Sequence, residues 1–140
     1  KNLDIIIVDM PPGTGDTQLT FAQQIKVDGA VIISTPQDLA LLDVKRGIEM
    51  FDKTGVKIIG LVDNMSFFKG DDDKNYKIFG EGGVEKTALE YKKNFLGKIP
   101  IHQDLRNAND IGDPLTHSNP EHEVSLIFKS IAEKIKQSFL

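Results

Sequence analysis

A chain of 140 residues, 39% hydrophobic and 27% charged, is long enough to bury a core and reads as one globular domain, 1–140; its formal net charge of −4 gives no broad basic surface, which excludes nucleic acid as the main partner. The absence of cysteine excludes a disulfide framework and any thiolate-held zinc or iron–sulfur site built from this chain alone. No apolar run reaches the ~20 residues needed to span a bilayer and no signal peptide opens the chain, so no stable membrane insertion is expected and a cytoplasmic location is the default.

Lys1-Asn2-Leu3 leads almost at once into Ile5-Ile6-Ile7-Val8, with no initiator Met and no capping element, as in a chain cut from something larger. Four β-branched residues predict a fully buried strand of a parallel sheet that delivers Asp9 at its C-terminal edge, where open α/β sheets bind ligands. Met10-Pro11-Pro12-Gly13-Thr14-Gly15 then turns the chain. The prolines stiffen this turn, Gly13 and Gly15 permit positive φ and close approach of backbone N–H groups to an anion, and Asp16 or Thr17 can cap the helix that follows. Strand, terminal carboxylate and Gly-rich turn suit a loop that senses Mg²⁺-phosphate; a plain βα loop with an N-cap is the alternative.

Residues 16–25 carry Leu19, Phe21, Ala22 and Ile25 at helical spacing, and 29–34 form a second continuous apolar strand ending in Thr35-Pro36-Gln37-Asp38. Asp38 is expected to cap a helix running to about Thr54, with Gly55 as its stop. Residues 57–62 predict a third strand, followed by Asp63-Asn64-Met65-Ser66. The stretch 67–83 reads as a long, polar, Gly-rich loop; its Asp71-Asp72-Asp73 triplet lacks the ligand alternation of a calcium loop and reads as a solvated tip. A short helix is expected at 85–92, a brief strand at 95–99 closed by Pro100, a helix at 102–108 and an irregular connector at 109–120. The last helix, about 121–139, places Val124, Ile127, Phe128, Ile131, Ala132 and Ile135 on one face that docks on the sheet, with a membrane-surface helix as the alternative. Strands alternating with helices predict an α/β fold: a doubly wound, mostly parallel sheet with helices on both faces.

Several blocks in this order resemble the Mrp/ApbC family, deviant-Walker P-loop ATPases related to MinD and ParA that act as iron–sulfur cluster carriers. Val8-Asp9-Met10-Pro11-Pro12-Gly13-Thr14-Gly15-Asp16 is similar to the family's switch II signature. The match continues through Ser34-Thr35-Pro36-Gln37-Asp38, Asp63-Asn64-Met65-Ser66, Ile78-Phe79-Gly80-Glu81-Gly82-Gly83, Gly97-Lys98-Ile99-Pro100-Ile101 and Arg106-Asn107-Ala108-Asn109-Asp110. The resemblance implies a partial P-loop NTPase-like fold, the C-terminal part of a deviant-Walker domain, with ATP and Mg²⁺ as cofactors. It implies that Asp9, Pro12 and Gly13 serve catalysis, Asp9 holding Mg²⁺ through water and reporting the γ-phosphate while residues 11–15 move on hydrolysis. It further implies that Asn64 reads the adenine edge, that Ile99-Pro100 is a loop closing over the base, and that Arg106 reaches the ligand or a partner subunit. A homodimer and iron–sulfur client apoproteins are the implied partners. On its own, Asn64 reads as a turn-forming asparagine and Arg106 equally as a solvated helix charge; His102 stands where the family often has Asp and is assigned no role.

Two departures qualify the resemblance. The Gly-rich Walker A loop is absent and would lie before Lys1, so this chain alone is expected not to hydrolyse ATP. The paired cysteines that many members carry between the Asn-Met-Ser and Phe-Gly-Glu-Gly-Gly blocks are absent too, which weakens the cluster-carrier assignment and leaves the ATPase one; any iron–sulfur cluster would need ligands from outside this chain. His102, His117 and His122 lie far in sequence from that interval and supply no cluster ligand set without thiolates. The competing readings are a MinD/ParA-like positioning ATPase and a catalytically inert fragment. With the Walker A strand missing, residues 5–8 are expected to pair directly with 31–33 or to have the gap filled by another chain.

Overall fold

The computed structural model describes residues 3–11, 13 and 15–140. In chain order the elements are α1 (Asp16–Gln24), β1 (Ala30–Ser34), α2 (Asp38–Thr54), β2 (Ile58–Lys69), β3 (Asn75–Tyr76), α3 (Gly83–Glu90), β4 (Phe95–Ile101), α4 (Gln103–Ile111), α5 (Leu115–Ser118) and α6 (Glu123–Gln137). β2 is the middle strand, parallel to β1 from Ala30↔Ile58 to Ser34↔Asp63 and parallel to β4 from Leu61↔Phe95 to Phe68↔Ile101. The two-residue β3 folds back antiparallel on the end of β2, pairing Phe68 with Tyr76.

Alternation along β2 separates two cores. Leu61 packs with Val44 and Ile48 of α2 and with Val84 and Ala88 of α3 on one face, whereas Val62 packs with Leu96, Ile99 and Ile131 of α6 on the other. Burial on both faces is why these strands read as continuous apolar runs. A third cluster of Ala108, Leu115 and Val124 joins α4, α5 and α6. The apolar stripe of α6 is therefore core-facing, and among the described residues no helix is long and apolar enough to cross a membrane. The doubly wound α/β expectation is met, with β3 making the sheet mixed.

Several local expectations differ from the structure. Ile5, Ile6, Ile7 and Val8 form no strand; they are exposed, Ile7 at 91%, and the pairing with 31–33 does not form. A β-branched run becomes a strand only where a neighbour supplies backbone partners, and among the described residues β1 pairs with β2 alone. The loop expected at 67–83 is instead largely a hairpin: β2 continues through Lys69, and the acidic triplet forms its turn with ion pairs Lys69–Asp73 (3.1 Å) and Lys74–Asp72 (3.2 Å). The strand expected to end before Pro100 runs on to Ile101; among the described residues β4 pairs only with β2, and an edge strand tolerates proline. The connector after residue 108 holds the end of α4 and the whole of α5.

Candidate functional site

The parallel strands end at one edge, where the loops after β1 and β2 gather. There Asn64 lies opposite Ile99 in the β2–β4 ladder. Between Asn64 and Phe68, β2 takes four steps where β4 takes two, from Ile99 to Ile101, so β2 bulges at Met65-Ser66-Phe67. Met65 sits at φ +53, a left-handed conformation that a residue with a side chain adopts rarely, and strain of this kind gathers at ligand sites. The bulge is pinned by Asn64 Oδ1 accepting the Met65 N–H at 3.0 Å and by Ser66 Oγ donating to the Ile99 carbonyl at 3.1 Å. With its oxygen engaged, Asn64 keeps its side-chain amide N–H groups for an outside acceptor. Ile99 and Pro100 are both buried within β4, so they form the wall behind Asn64 rather than a mobile loop.

Asp63 precedes Asn64 and is 1% exposed, and its Oδ1 has no hydrogen-bond partner. Burial pushes its carboxyl up to about 6, only partly opposed by the Lys98 ammonium, which is itself paired with Glu85 at 2.8 Å. Asp63 stands inside the Asp63-Asn64-Met65-Ser66 motif with no role implied there; its signal in the sequence is a carboxylate ending an apolar run.

The Gly-rich block after the hairpin has a steric reason. A Cβ on Gly83 would stand 2.9 Å from the Pro36 carbonyl and 2.6 Å from Leu41 Cδ1, and Gly80 (φ +98) also lies against Pro36. The start of α3 therefore docks backbone to backbone on the loop after β1. Asp38, expected to cap α2, is its first residue; Gln37 holds the cap position without a side-chain hydrogen bond.

At the other end of the motif set, Asp9 is exposed, and among the described residues it makes no ion pair. Pro12 and Thr14 lie outside the described residues; Gly13 takes φ +94. The side-chain amide of the buried Gln18 donates to the Pro11 carbonyl at 2.8 Å, tying this turn to α1. The expected caps from Asp16 or Thr17 do not form: Gly15 holds the N-cap position, with no cap side chain of its own. An exposed carboxylate, a left-handed glycine and a helix start that follows them fit a hydrated Mg²⁺ and a phosphate group. Because residues 3–11 pair with no strand, Asp9 and Gly13 are not joined to Asn64 and Ile99 through the sheet. Arg106 points to solvent on α4 in an i,i+4 pair with Asp110 at 3.2 Å. His102 and His122, given no role by the sequence, come together with Asp104.

Residues 1–136 match the family described as ParA, NUBPL iron-transfer P-loop NTPase. The iron–sulfur cluster carrier protein of Escherichia coli K12 is 47% identical over 135 residues, covering 96% of this chain and 37% of that protein. The iron–sulfur cluster transfer protein NUBPL of Dictyostelium discoideum is 45% identical over 135 residues, covering 96% of this chain and 42% of its own length. Among solved structures, a nucleotide-binding protein from Archaeoglobus fulgidus in complex with ADP superposes with a TM-score of 0.66 at 40% identity, over 74% of this chain and 43% of that one. The cell division ATPase MinD of Pyrococcus furiosus superposes with a TM-score of 0.60 at 23% identity, over 79% of this chain and 43% of that one, a likeness of fold alone. The chain thus spans less than half the length of the relatives it matches.

Proposed function

Because the chain belongs to the ParA family of NUBPL iron-transfer P-loop NTPases, we propose that it is the switch and base-binding part of an ATP-hydrolysing iron–sulfur cluster carrier. The observation that carries the reading is the strained bulge after Asn64, which leaves an asparagine amide at the ligand edge against the buried wall of Ile99 and Pro100. Asn64 donates to the base edge, and Ile99 and Pro100 fix the strand behind it. Asp9 holds the water shell of Mg²⁺, which when bound offsets phosphate charge. Pro12 and Gly13, followed by the start of α1, form the turn that responds to the γ-phosphate. Arg106 serves a partner subunit, in keeping with its exposure and its local ion pair. The working unit is a homodimer, its cargo goes to iron–sulfur client apoproteins, and the cluster ligands come from outside these 140 residues, which hold no cysteine.

The test uses the intact protein, loaded anaerobically with cluster and mixed with an apo iron–sulfur enzyme, with and without MgATP. Reactivation of the enzyme that depends on MgATP, and that fails in Asp9→Asn although ATP still binds, is the expected result. An intact protein that binds no ATP, or transfers equally well without it, overturns the reading.

A further inference from the structure

The starts of α4 and α6 meet in a cluster that nucleotide binding does not use. His102 caps α4, its Nδ1 accepting the Asp104 N–H at 3.2 Å, and His122 caps α6 in the same way, its Nδ1 accepting the Val124 N–H at 3.1 Å. The two rings meet edge to face with centroids 4.7 Å apart. Each Nε2 then faces a carboxylate on the other helix: His122 Nε2 lies 3.4 Å from Asp104 Oδ2, and His102 Nε2 lies 3.6 Å from Glu123 Oε1. One nitrogen of each ring and one oxygen of Asp104 lie within 4.8 Å of one another.

Helix capping alone does not call for imidazole. Ser, Thr, Asp and Asn cap better, and neither position requires a ring for the Nδ1 contact. What the ring adds at both starts is a second nitrogen, carried across to the opposite helix. We propose that His102, His122 and Asp104, with Glu123 beside them, bind one divalent transition-metal ion of the zinc class. Two imidazoles and a carboxylate are a borderline ligand set, suited to Zn²⁺ or Co²⁺ rather than Mg²⁺. The imidazoles are mostly buried, while Asp104 and Glu123 are more than half exposed, so the carboxylates can swing inward and one side stays open to water. Two carboxylates facing neutral imidazoles attract a dication, and this outweighs the partial positive charge of two helix starts. Ligation at Nε2 leaves the remaining ring proton on Nδ1, opposite the capping N–H. Metal and caps therefore compete, and the bound ion replaces two caps with one link between α4 and α6.

The test uses the full protein, stripped with EDTA and titrated with Zn²⁺ by calorimetry and with Co²⁺ by visible absorption, without nucleotide and with excess Mg²⁺ to occupy oxygen-only sites such as Asp9. His102→Ser and His122→Ser keep a capping oxygen and remove the ligand nitrogen; Asp104→Asn is a third, exposed change. The expected result is one saturable equivalent of Zn²⁺, with affinity reduced at least about tenfold in each variant while metal-free thermal unfolding of the two serine variants stays at or above that of the parent. Absence of a saturable equivalent in the parent, or unchanged affinity in the variants, overturns the site.

Discussion

Asn64 and Ile99 face each other across the β2–β4 ladder, and the next hydrogen bond along, from Ser66 Oγ to the Ile99 carbonyl at 3.1 Å, closes the bulge that follows. The pair fixes where β2 leaves its regular register with β4. Its consequence is chemical: Asn64 Oδ1 already accepts the Met65 N–H, while both amide N–H groups of Asn64 remain to donate outward.

Asn64→Ala should therefore weaken ATP binding by the intact protein about tenfold, since a base acceptor left unpaired costs ~1–3 kcal/mol. It should also narrow the preference for ATP over GTP. Competition binding with a fluorescent ATP analogue measures both, and unchanged affinity with unchanged preference refutes the assignment.

Asp63 gives a pH dependence with a definite sign. Its carboxyl is raised from 3.8 to about 6 by burial, so below pH ~4 it is neutral in folded and unfolded chains alike. Between these values only the unfolded chain ionises and stability falls; above about 6 the penalty is constant, roughly 3 kcal/mol at most. Asp63→Asn should thus raise the thermal midpoint at pH 7–8 and leave it unchanged near pH 4. Melting curves across that range check it, and a difference that does not vary with pH counts against a buried, unpaired carboxylate.

Elements whose causes are local were legible in the sequence. The stripe of α2 and its stop at Gly55, which takes φ +74, are read from periodicity and one glycine. The 5–8 run misled because a strand is a property of two chains' backbones, and its apolar content says nothing about whether a neighbour is there. The hairpin through β3 was hidden by its polar, exposed edge, which carries no alternation to read. In the site, Asn64 and Ile99 were named from a resemblance, but their facing each other is a register, which no spacing reveals. His102 and His122 were invisible as a pair for the same reason: α4 and α5 must first fold to bring α6 back.

The glycine block tests whether its role is steric. A Cβ at Gly83 meets the Pro36 carbonyl at 2.9 Å, and backbone cannot step aside as a side-chain tip can. Gly83→Ala should destabilise by ~1–3 kcal/mol through forced displacement of the loop after β1. Denaturant unfolding reads the loss. An unchanged midpoint would mean that α3 and this loop are not in the contact described.

On the proposed reading, cluster chemistry separates these 140 residues from the intact protein. Iron–sulfur clusters are held mainly by thiolates, and the 140 residues contain no cysteine. His102 and His122 converge, but with Asp104 they offer nitrogen and oxygen to a single ion, and His117 on α5 is not part of that group. Two imidazoles and a carboxylate provide no sulfur to anchor bridging sulfide. Anaerobic reconstitution of these 140 residues with iron and sulfide should therefore leave iron that a chelator removes and no acid-labile sulfide. Reconstitution of the intact protein, if thiolates outside these residues hold the cluster as proposed, should leave both. Stoichiometric, chelator-resistant iron and sulfide on the 140-residue chain would show that histidine and carboxylate suffice here, and would refute the assignment of cluster ligation to residues beyond it.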